Sequence, residues 1–177
     1  MTLPLSTAMR VAGPVTANVT GAEEPVKRGG CTLFQSGPWL AGFAVADPAM
    51  ELEAASPRVT VVLLGGTLRP LQHSLVEPMA SLILEQINVH TLFLGCNGVD
   101  AVGGVTNVNL PEAEVKKRML KAAHRVVVLA DGSKIGRTEL AHLCPIERVD
   151  LVITGESADP LAVEELRKRD CEVRIVS

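Results

Sequence analysis

Residues 95–134 read GCNGVDAVGGVTNVNLPEAEVKKRMLKAAHRVVVLADGSK, and this stretch decides the fold. Three polar groups, at residues 95–106, 112–117 and 131–134, lie between apolar runs, and each begins where an apolar segment ends. Ligands of open parallel sheets bind at the carboxyl ends of the strands, because loops converge there and helix N-termini direct their amides at anions. The pattern therefore favours a site for a small, phosphorylated polyol.

Predicted strands and helices alternate along the chain. An unbroken β-branched run predicts a buried strand at residues 59–64, and further strands are predicted at 89–94, 126–130, 149–154 and 171–176. Apolar residues at helical spacing predict helices at residues 77–87, 112–125, 137–143 and 160–170, and an interrupted helix at 38–55. Such alternation implies right-handed crossovers between parallel strands. We predict an α/β fold with a doubly wound, mostly parallel, Rossmann-like sheet.

Composition argues against nucleic-acid binding by this chain alone. Only 2% of the 177 residues are aromatic, so few side chains are available to stack on bases. The net charge of −3 leaves no excess positive field for a phosphodiester backbone. The core must be built from Val, Leu, Ile and Ala, which suits strands buried on both faces.

Cysteine spacing and hydropathy give no sign of a metal, a cofactor or a membrane. The four cysteines form no C-x-x-C pair, and the four histidines share no ligand spacing with them. No apolar run reaches the roughly 18–20 residues of a membrane span, and residues 1–10 do not resemble a signal peptide. We predict a cytoplasmic location with reduced thiols.

Four motifs follow one another in the central stretch: GCNGVD at residues 95–100, GVT at 104–106, EAEVK at 112–116 and DGSKIG at 131–136. Their order and spacing resemble the C-terminal effector domain of the DeoR-type bacterial transcriptional repressors. VVLLGGTLR at residues 61–69 resembles the strand and Gly-Gly turn of that family. The similarity extends from about residue 59 to the end of the sequence.

The resemblance implies an effector-sensing domain that binds a phosphorylated sugar or related metabolite to control transcription. It implies a fold similar to that of ribose-5-phosphate isomerase and the CoA transferases, no cofactor, and assembly as a homo-oligomer. The helix-turn-helix that such repressors carry is not found in these residues. We expect residues 31–177 to form the effector-binding domain and residues 1–30 to be a divergent or partly disordered segment.

Candidate ligand-binding residues cluster at the predicted strand ends. Glycine there permits positive φ and close approach of a ligand to backbone amides, although a simple tight turn needs the same residue. Asn97 and Asp100 are suited to hydrogen-bond sugar hydroxyls, or else to cap the turn. The candidates are Gly65, Gly66, Gly95, Asn97, Gly98, Asp100, Gly104, Thr106, Glu114, Lys116, Asp131 and Lys134.

Two lysines in this set each have a second interpretation. The Lys134 ammonium is placed either to meet a ligand phosphate or to pair with Asp131, three residues before it. Lys116 follows Glu112 by four residues, and an exposed helix ion pair is the plain explanation of that spacing. Cys96 has no neighbouring base in the sequence, so a small buried side chain is favoured over a nucleophile.

Two alternative functions remain open. The loops also resemble those of ribose-5-phosphate isomerase, but Asn97 stands where that enzyme has an acidic residue, and an amide cannot transfer the proton that aldose–ketose isomerisation requires. The second alternative is a domain that has lost its ligand. Residues 13–16 lack the successive hydroxyls of the family's phosphate loop, and Glu77 puts a negative charge where the family has glycine.

Overall fold

Twelve strands and three helices lie in the part of the chain that the computed structural model describes, residues 32–34, 39–42, 60–69, 74–76 and 79–177. The strands are β1 (Thr32–Phe34), β2 (Trp39–Gly42), β3 (Thr60–Leu63), β4 (Thr67–Arg69), β5 (Ser74–Val76), β6 (Val89–Gly95), β7 (Gly98–Asp100), β8 (Gly104–Asn107), β9 (Ala123–Leu129), β10 (Ala141–Cys144), β11 (Leu151–Gly155) and β12 (Glu172–Val176). The helices are α1 (Met79–Leu84), α2 (Leu110–Ala122) and α3 (Pro160–Arg167), and short 3-10 turns cover Gly132–Lys134 and Ile146–Arg148.

A seven-stranded sheet with the order β12-β11-β9-β6-β1-β2-β3 forms the centre of the fold. Strands β6, β9, β11 and β12 are parallel to one another, whereas β1 is antiparallel to both β6 and β2. Because β2 and β3 are parallel, every strand of this sheet except β1 points the same way. The carboxyl ends of β3, β6, β9 and β11 therefore lie at one edge of the sheet.

A smaller antiparallel sheet has the strand order β10-β8-β7. Strands β7 and β8 lie between β6 and α2 in the chain, and β10, which follows β9, pairs with β8. Val99 and Val105 are fully buried apolar side chains of this sheet, and they belong to the main core together with Leu92, Leu94 and Met119. A second, smaller cluster of Val127, Leu151 and Ile153 occupies another part of the central sheet. The aliphatic core expected from the composition is thus present on successive parallel strands.

The predicted fold class is confirmed, and so are the strands predicted at residues 59–64, 89–94, 126–130, 149–154 and 171–176. The helix predicted at residues 112–125 begins two residues earlier, at Leu110, and ends at Ala122. Its first turn is capped because the Asn109 side chain accepts a hydrogen bond from the Glu112 amide at 2.9 Å. The helix predicted at 160–170 is α3, which ends at Arg167.

Two secondary-structure predictions are wrong. Residues 137–143 do not form a helix, because Ala141–Cys144 is strand β10 and pairs with β8. Within the interrupted helix predicted at 38–55, Trp39–Gly42 is strand β2, and residues 43–55 lie outside the described residues. Predictions for residues 1–30, including the loop at 13–16, and for Glu77 also fall outside the described residues.

Candidate functional site

The loops after β6, β9 and β11 meet at the carboxyl edge of the central sheet. Gly95 at the end of β6 pairs with Leu129 at the end of β9. The Ala130 amide then donates a hydrogen bond to the Ile153 carbonyl of β11 at 3.1 Å. This edge consequently brings Gly95, Asn97, Asp131 and Lys134 into one neighbourhood.

Lys134 lies in the 3-10 turn that directly follows β9. The Asp131 carboxylate caps this turn by accepting the Ser133 amide at 2.9 Å, and the Lys134 amide bonds back to the Asp131 carbonyl at 2.9 Å. The Lys134 side chain is half-buried, and its ammonium has no ion-pair or hydrogen-bond partner among the described residues. It does not pair with Asp131. A half-buried cation at this edge is available to an anion.

Asn97 and Asp100 both hold the turn between β6 and β8. The Asn97 amide donates to the Thr106 carbonyl at 3.0 Å, and its side-chain oxygen accepts the Val108 amide at 3.2 Å. The Asp100 carboxylate accepts the amides of Gly103 at 2.7 Å and Val102 at 2.9 Å. These backbone bonds, that of Gly103 first, lower the pKa of Asp100 below its ordinary value. Asp100 thus has the capping role that the sequence left open. The Asn97 side chain is half-buried, and its amide nitrogen makes no hydrogen bond within the described ranges.

The glycines of the small sheet permit a close approach, but the segment that approaches is the chain's own backbone. A Cβ at Gly98 would lie 2.5 Å from the Arg137 carbonyl oxygen and 2.7 Å from Thr106 Oγ1. A Cβ at Gly104, which has a φ of +69°, would collide with the Cys144 carbonyl oxygen. At Gly98 the approaching backbone belongs to residues 136–140, which we call the strap, and at Gly104 it belongs to the end of β10.

Thr106 fastens the strap. It is almost completely buried, and its hydroxyl donates to the Gly98 carbonyl at 3.3 Å and accepts the Glu139 amide at 2.9 Å. The Gly136 amide, at the other end of the strap, donates to the Val99 carbonyl at 2.8 Å. Gly98, Gly104 and Thr106 thus shape the loop that carries Lys134.

Lys116 belongs to a buried polar cluster on the inner side of α2. Its ammonium lies 2.6 Å from the Glu112 carboxylate and donates to the Asn107 side-chain oxygen at 3.0 Å. Lys116 is 1% exposed, Glu112 9% and Asn107 0%. The interpretation of Glu112 and Lys116 as an exposed ion pair is therefore wrong, because this side of the helix faces the core.

Glu114 lies on a different side of the same helix from Lys116. Its exposed carboxylate pairs with Lys117 at 3.0 Å, and this hydrogen bond lowers the pKa of Glu114. Together with Lys117, Arg118 and Lys121 it borders a shallow surface depression that also contacts Arg148. The structure does not bring Glu114 together with Lys116 or Lys134.

Gly65 and Gly66 follow β3 and have φ values of +74° and +123°, which glycine adopts without strain. They lie at the same edge of the sheet as the loop after β6. Since β1 and β2 separate β3 from β6, the two loops are about 14 Å apart along the sheet, at the usual spacing of ~4.8 Å per strand.

Three polar residues near this edge were missed in the sequence. Glu112 and Asn107 complete the cluster around Lys116, and Thr154 lies at the end of β11. The Thr154 hydroxyl is buried and has no hydrogen-bond partner in the described part of the chain. A buried hydroxyl of this kind usually has a partner, often a water or a ligand. No sequence pattern marks it, because Thr is also a common strand residue.

Other chemistries find little support in the described residues. Cys96 is buried, as predicted, and burial is the main cause that raises the pKa of the Cys144 thiol to about 12. The Cys144 thiol is therefore not an activated nucleophile. No group of three or more His, Cys, Asp or Glu side chains within the described ranges could hold a metal ion. Among the helices of that part of the chain, none is long and apolar enough to cross a membrane.

Comparison with known proteins identifies the family. Residues 45–156 match the family described as the DeoR C terminal sensor domain. The HTH-type transcriptional regulator GlpR of Haloferax volcanii is 38% identical over 120 residues, which make up 68% of this chain and 47% of that protein. The "Putative aga operon transcriptional repressor" of Escherichia coli O157:H7 is 33% identical over 135 residues, 76% of this chain and 49% of that protein.

A third relative, the uncharacterized HTH-type transcriptional regulator YulB of Bacillus subtilis, is 32% identical over 128 residues, 72% of this chain and 49% of that protein. The chain spans about half the length of these curated relatives. All three are named as transcriptional regulators, which supports a regulatory role and not the isomerase alternative. The chain belongs to the DeoR family of transcriptional regulators, and most of it is the sensor domain of that family.

Proposed function

We propose that this domain binds a phosphorylated sugar or a related small metabolite at the carboxyl edge of the central sheet, and that occupancy of this site controls transcription. One observation carries the proposal. Lys134 is a half-buried cation in the loop after β9, and its ammonium has no carboxylate partner among the described residues. A phosphate group would supply the missing negative charge.

A polar group at the same edge as Lys134 suits the rest of such a ligand. The Asn97 side chain has an amide nitrogen to donate and can bond a sugar hydroxyl, which both donates and accepts hydrogen bonds. A small polyol with one anionic end therefore matches this edge better than an apolar ligand does.

The buried cluster of Asn107, Glu112 and Lys116 has a supporting role in this proposal. Its ion pair is already closed at 2.6 Å, so the Lys116 charge is compensated before any ligand binds. Asn107 lies between Thr106 and Val108, the two residues that bond Asn97. The cluster thereby fixes α2 against the strand that holds the Asn97 loop in place.

A thermal-shift screen of the purified chain tests the proposal. The panel contains sugar phosphates, the matching free sugars and inorganic phosphate. A ligand at about 100 times its Kd stabilises the folded state by about 2.7 kcal/mol, which raises the melting temperature by several degrees. We expect sugar phosphates to give this rise and the free sugars to give none.

Two variants make the screen specific. Lys134→Ala should abolish the rise, whereas Lys168→Ala, which removes an exposed lysine paired with Glu165 on α3, should leave it unchanged. A folded protein that no sugar phosphate stabilises, or that free sugars stabilise equally well, would overturn the proposal.

A further inference from the structure

A groove with mostly basic walls runs along the exposed side of α2. It consists of two adjoining depressions that share Arg118 and Lys121, and we call it the basic groove. Its charged residues are the cations Lys117, Arg118, Lys121 and Arg148 and the carboxylates Glu85 and Glu114. The chain as a whole has a net charge of −3, so positive charge is concentrated at this surface.

Two of the cations are held only by exposed ion pairs. Lys117 pairs with Glu114 at 3.0 Å, and Arg118 pairs with Glu85 at 3.2 Å. All four of these side chains are more than a third exposed. Ion pairs in contact with water contribute little to stability, so these cations can exchange partners with an incoming carboxylate.

The other two cations, Lys121 and Arg148, have no carboxylate partner in the described part of the chain. Lys121 is exposed, and its ammonium makes neither an ion pair nor a hydrogen bond there. The half-buried Arg148 guanidinium donates to the carbonyl oxygens of Leu120, at 3.2 Å, and Ala123. These bonds fix its positive charge at the C-terminal end of α2. A surface lined mostly by one sign of charge attracts partners of the opposite sign.

The spacing of the lysines suits an extended acidic peptide. Lys117 and Lys121 are four residues apart on α2, a rise of about 6 Å along the helix. Alternate side chains of an extended peptide point the same way and lie about 6.8 Å apart. Acidic residues at every second position therefore match the two ammonium groups, whereas a ligand with a single phosphate reaches only one of them.

A nucleic-acid backbone matches the basic groove less well. Proteins that bind duplex DNA through its backbone neutralise about 6–10 phosphates with cations. The basic groove has four cations, and Glu85 and Glu114 lie among them. These carboxylates would repel a continuous row of phosphates, whereas a peptide can place its acidic side chains between them.

We propose that the basic groove docks an acidic segment of a partner protein, in extended conformation and with carboxylates at alternate positions. Lys117 and Lys121 bind successive carboxylates, and Arg148 supplies a further positive charge at the end of the helix. The proposal goes beyond ligand sensing at the sheet edge, and its test requires no sugar phosphate.

Fluorescence anisotropy of a labelled peptide tests the proposal on the wild-type chain. The probe alternates Glu and Gly over about ten residues, and a matched probe has Gln in place of Glu. We expect the Glu probe to bind and the Gln probe not to bind. Raising the ionic strength from about 0.05 M to about 0.5 M should weaken the binding, since salt screens exposed charges. Absence of binding at about 1 mM Glu probe, or equal binding of the two probes, would overturn the proposal.

Two charge reversals locate the binding surface. Lys121→Glu should weaken binding of the Glu probe at least about tenfold, because it puts like charges opposite one another. Lys168→Glu is the matched control, since it changes the net charge equally at an exposed lysine of the α3 end, outside the basic groove. It should leave the affinity almost unchanged, and thermal unfolding checks that both variants are folded. Equal losses in the two variants would show that binding follows net charge alone and would overturn the proposal.

A labelled DNA duplex distinguishes a nucleic acid from a peptide. We expect it to bind the wild-type chain more weakly than the Glu probe does at the same ionic strength. Tighter binding of the duplex would overturn the assignment to an acidic peptide.

Discussion

Lys116 and Lys134 are both motif lysines of the sensor domain, yet they lie in opposite surroundings. Lys116 is 1% exposed and holds both the Glu112 carboxylate and the Asn107 side chain. Lys134 is half-buried, and its ammonium contacts no carboxylate among the described residues. The charge of Lys116 is therefore compensated within a buried polar cluster, whereas the charge of Lys134 at the edge of the sheet is not compensated by a carboxylate of the described residues.

This difference separates stability from ligand binding. A buried ion pair that loses one member leaves the other charge without compensation in the core. A half-exposed cation that is removed leaves nothing unpaired, so the fold loses little, but an anionic ligand loses its counter-charge. Substitution of Lys116 should accordingly lower the stability of the fold, whereas substitution of Lys134 should lower the affinity for an anionic ligand.

The largest expected effect is that of Lys116→Met. The substitution keeps the length of the side chain but removes the ammonium that lies 2.6 Å from the buried Glu112 carboxylate. We expect the free energy of unfolding to fall by about 3–5 kcal/mol, measured by urea denaturation. The double variant Lys116→Met/Glu112→Gln should recover at least about 1 kcal/mol of that loss, because it also removes the buried negative charge. A loss below about 1 kcal/mol for the single variant would contradict the interpretation of Glu112 and Lys116 as a buried ion pair.

The next largest loss of stability is expected for Gly98→Ala. The new methyl group would lie 2.5 Å from the Arg137 carbonyl oxygen, so the strap must shift. We expect a loss of about 1–3 kcal/mol in the free energy of unfolding. Gly155→Ala is the control, since the nearest atom to its methyl group is 4.0 Å away. Similar losses at both glycines would show that the strap does not lie against Gly98.

Asp100→Asn tests the turn between β7 and β8 through its pH dependence. Backbone hydrogen bonds lower the pKa of Asp100 in the folded protein below the ordinary value of 3.8. The carboxylate therefore stabilises the fold above pH 3.8, and this contribution is lost as the pH falls through the lowered pKa. At pH 7 the wild type should be more stable than the variant by a few tenths of a kcal/mol, given the exposure of the group. The difference should vanish at low pH, and a difference that grows on acidification would have the wrong sign.

The smallest effect on stability is expected for Lys134→Ala. Because the ammonium has no partner to leave behind in the described part of the chain, the free energy of unfolding should change by less than about 0.5 kcal/mol. Urea denaturation without ligand measures this directly. A loss as large as that of Lys116→Met would mean that Lys134 is a structural residue, and the contrast between the two lysines would disappear.

The parallel part of the sheet could be predicted from the sequence because local patterns determine it. Val126–Val128 is an unbroken β-branched run, and strands buried on both faces require such runs. Strand β10 could not be found in this way. Its residues Ala141–Cys144 are strand only because they pair with β8 more than 30 residues earlier, at His142 with Thr106 for example. Propensity carries no information about such a partner.

In the candidate site, too, local spacing could be predicted from the sequence, but tertiary contacts could not. Spacing of four residues places Glu112 and Lys116 on one side of a helix, but it does not tell which side faces the core. That is why their burial was missed, and why Glu114 was grouped with Lys116 although it lies on another side. Glycines at strand ends were predicted to let a ligand approach the backbone, and the sequence could not show that the strap fills the space above Gly98 and that Cys144 fills the space above Gly104.

The location of the ligand is the central claim, and an NMR titration tests it most directly. Amide resonances of the ¹⁵N-labelled chain are followed while the most stabilising sugar phosphate of the thermal screen, or inorganic phosphate, is added. The account predicts the largest shift changes at Gly95–Gly98 and Asp131–Gly136, with the amides at the exposed side of α2 around Lys117 and Lys121 almost unchanged. Largest changes around Lys117 and Lys121 would contradict it.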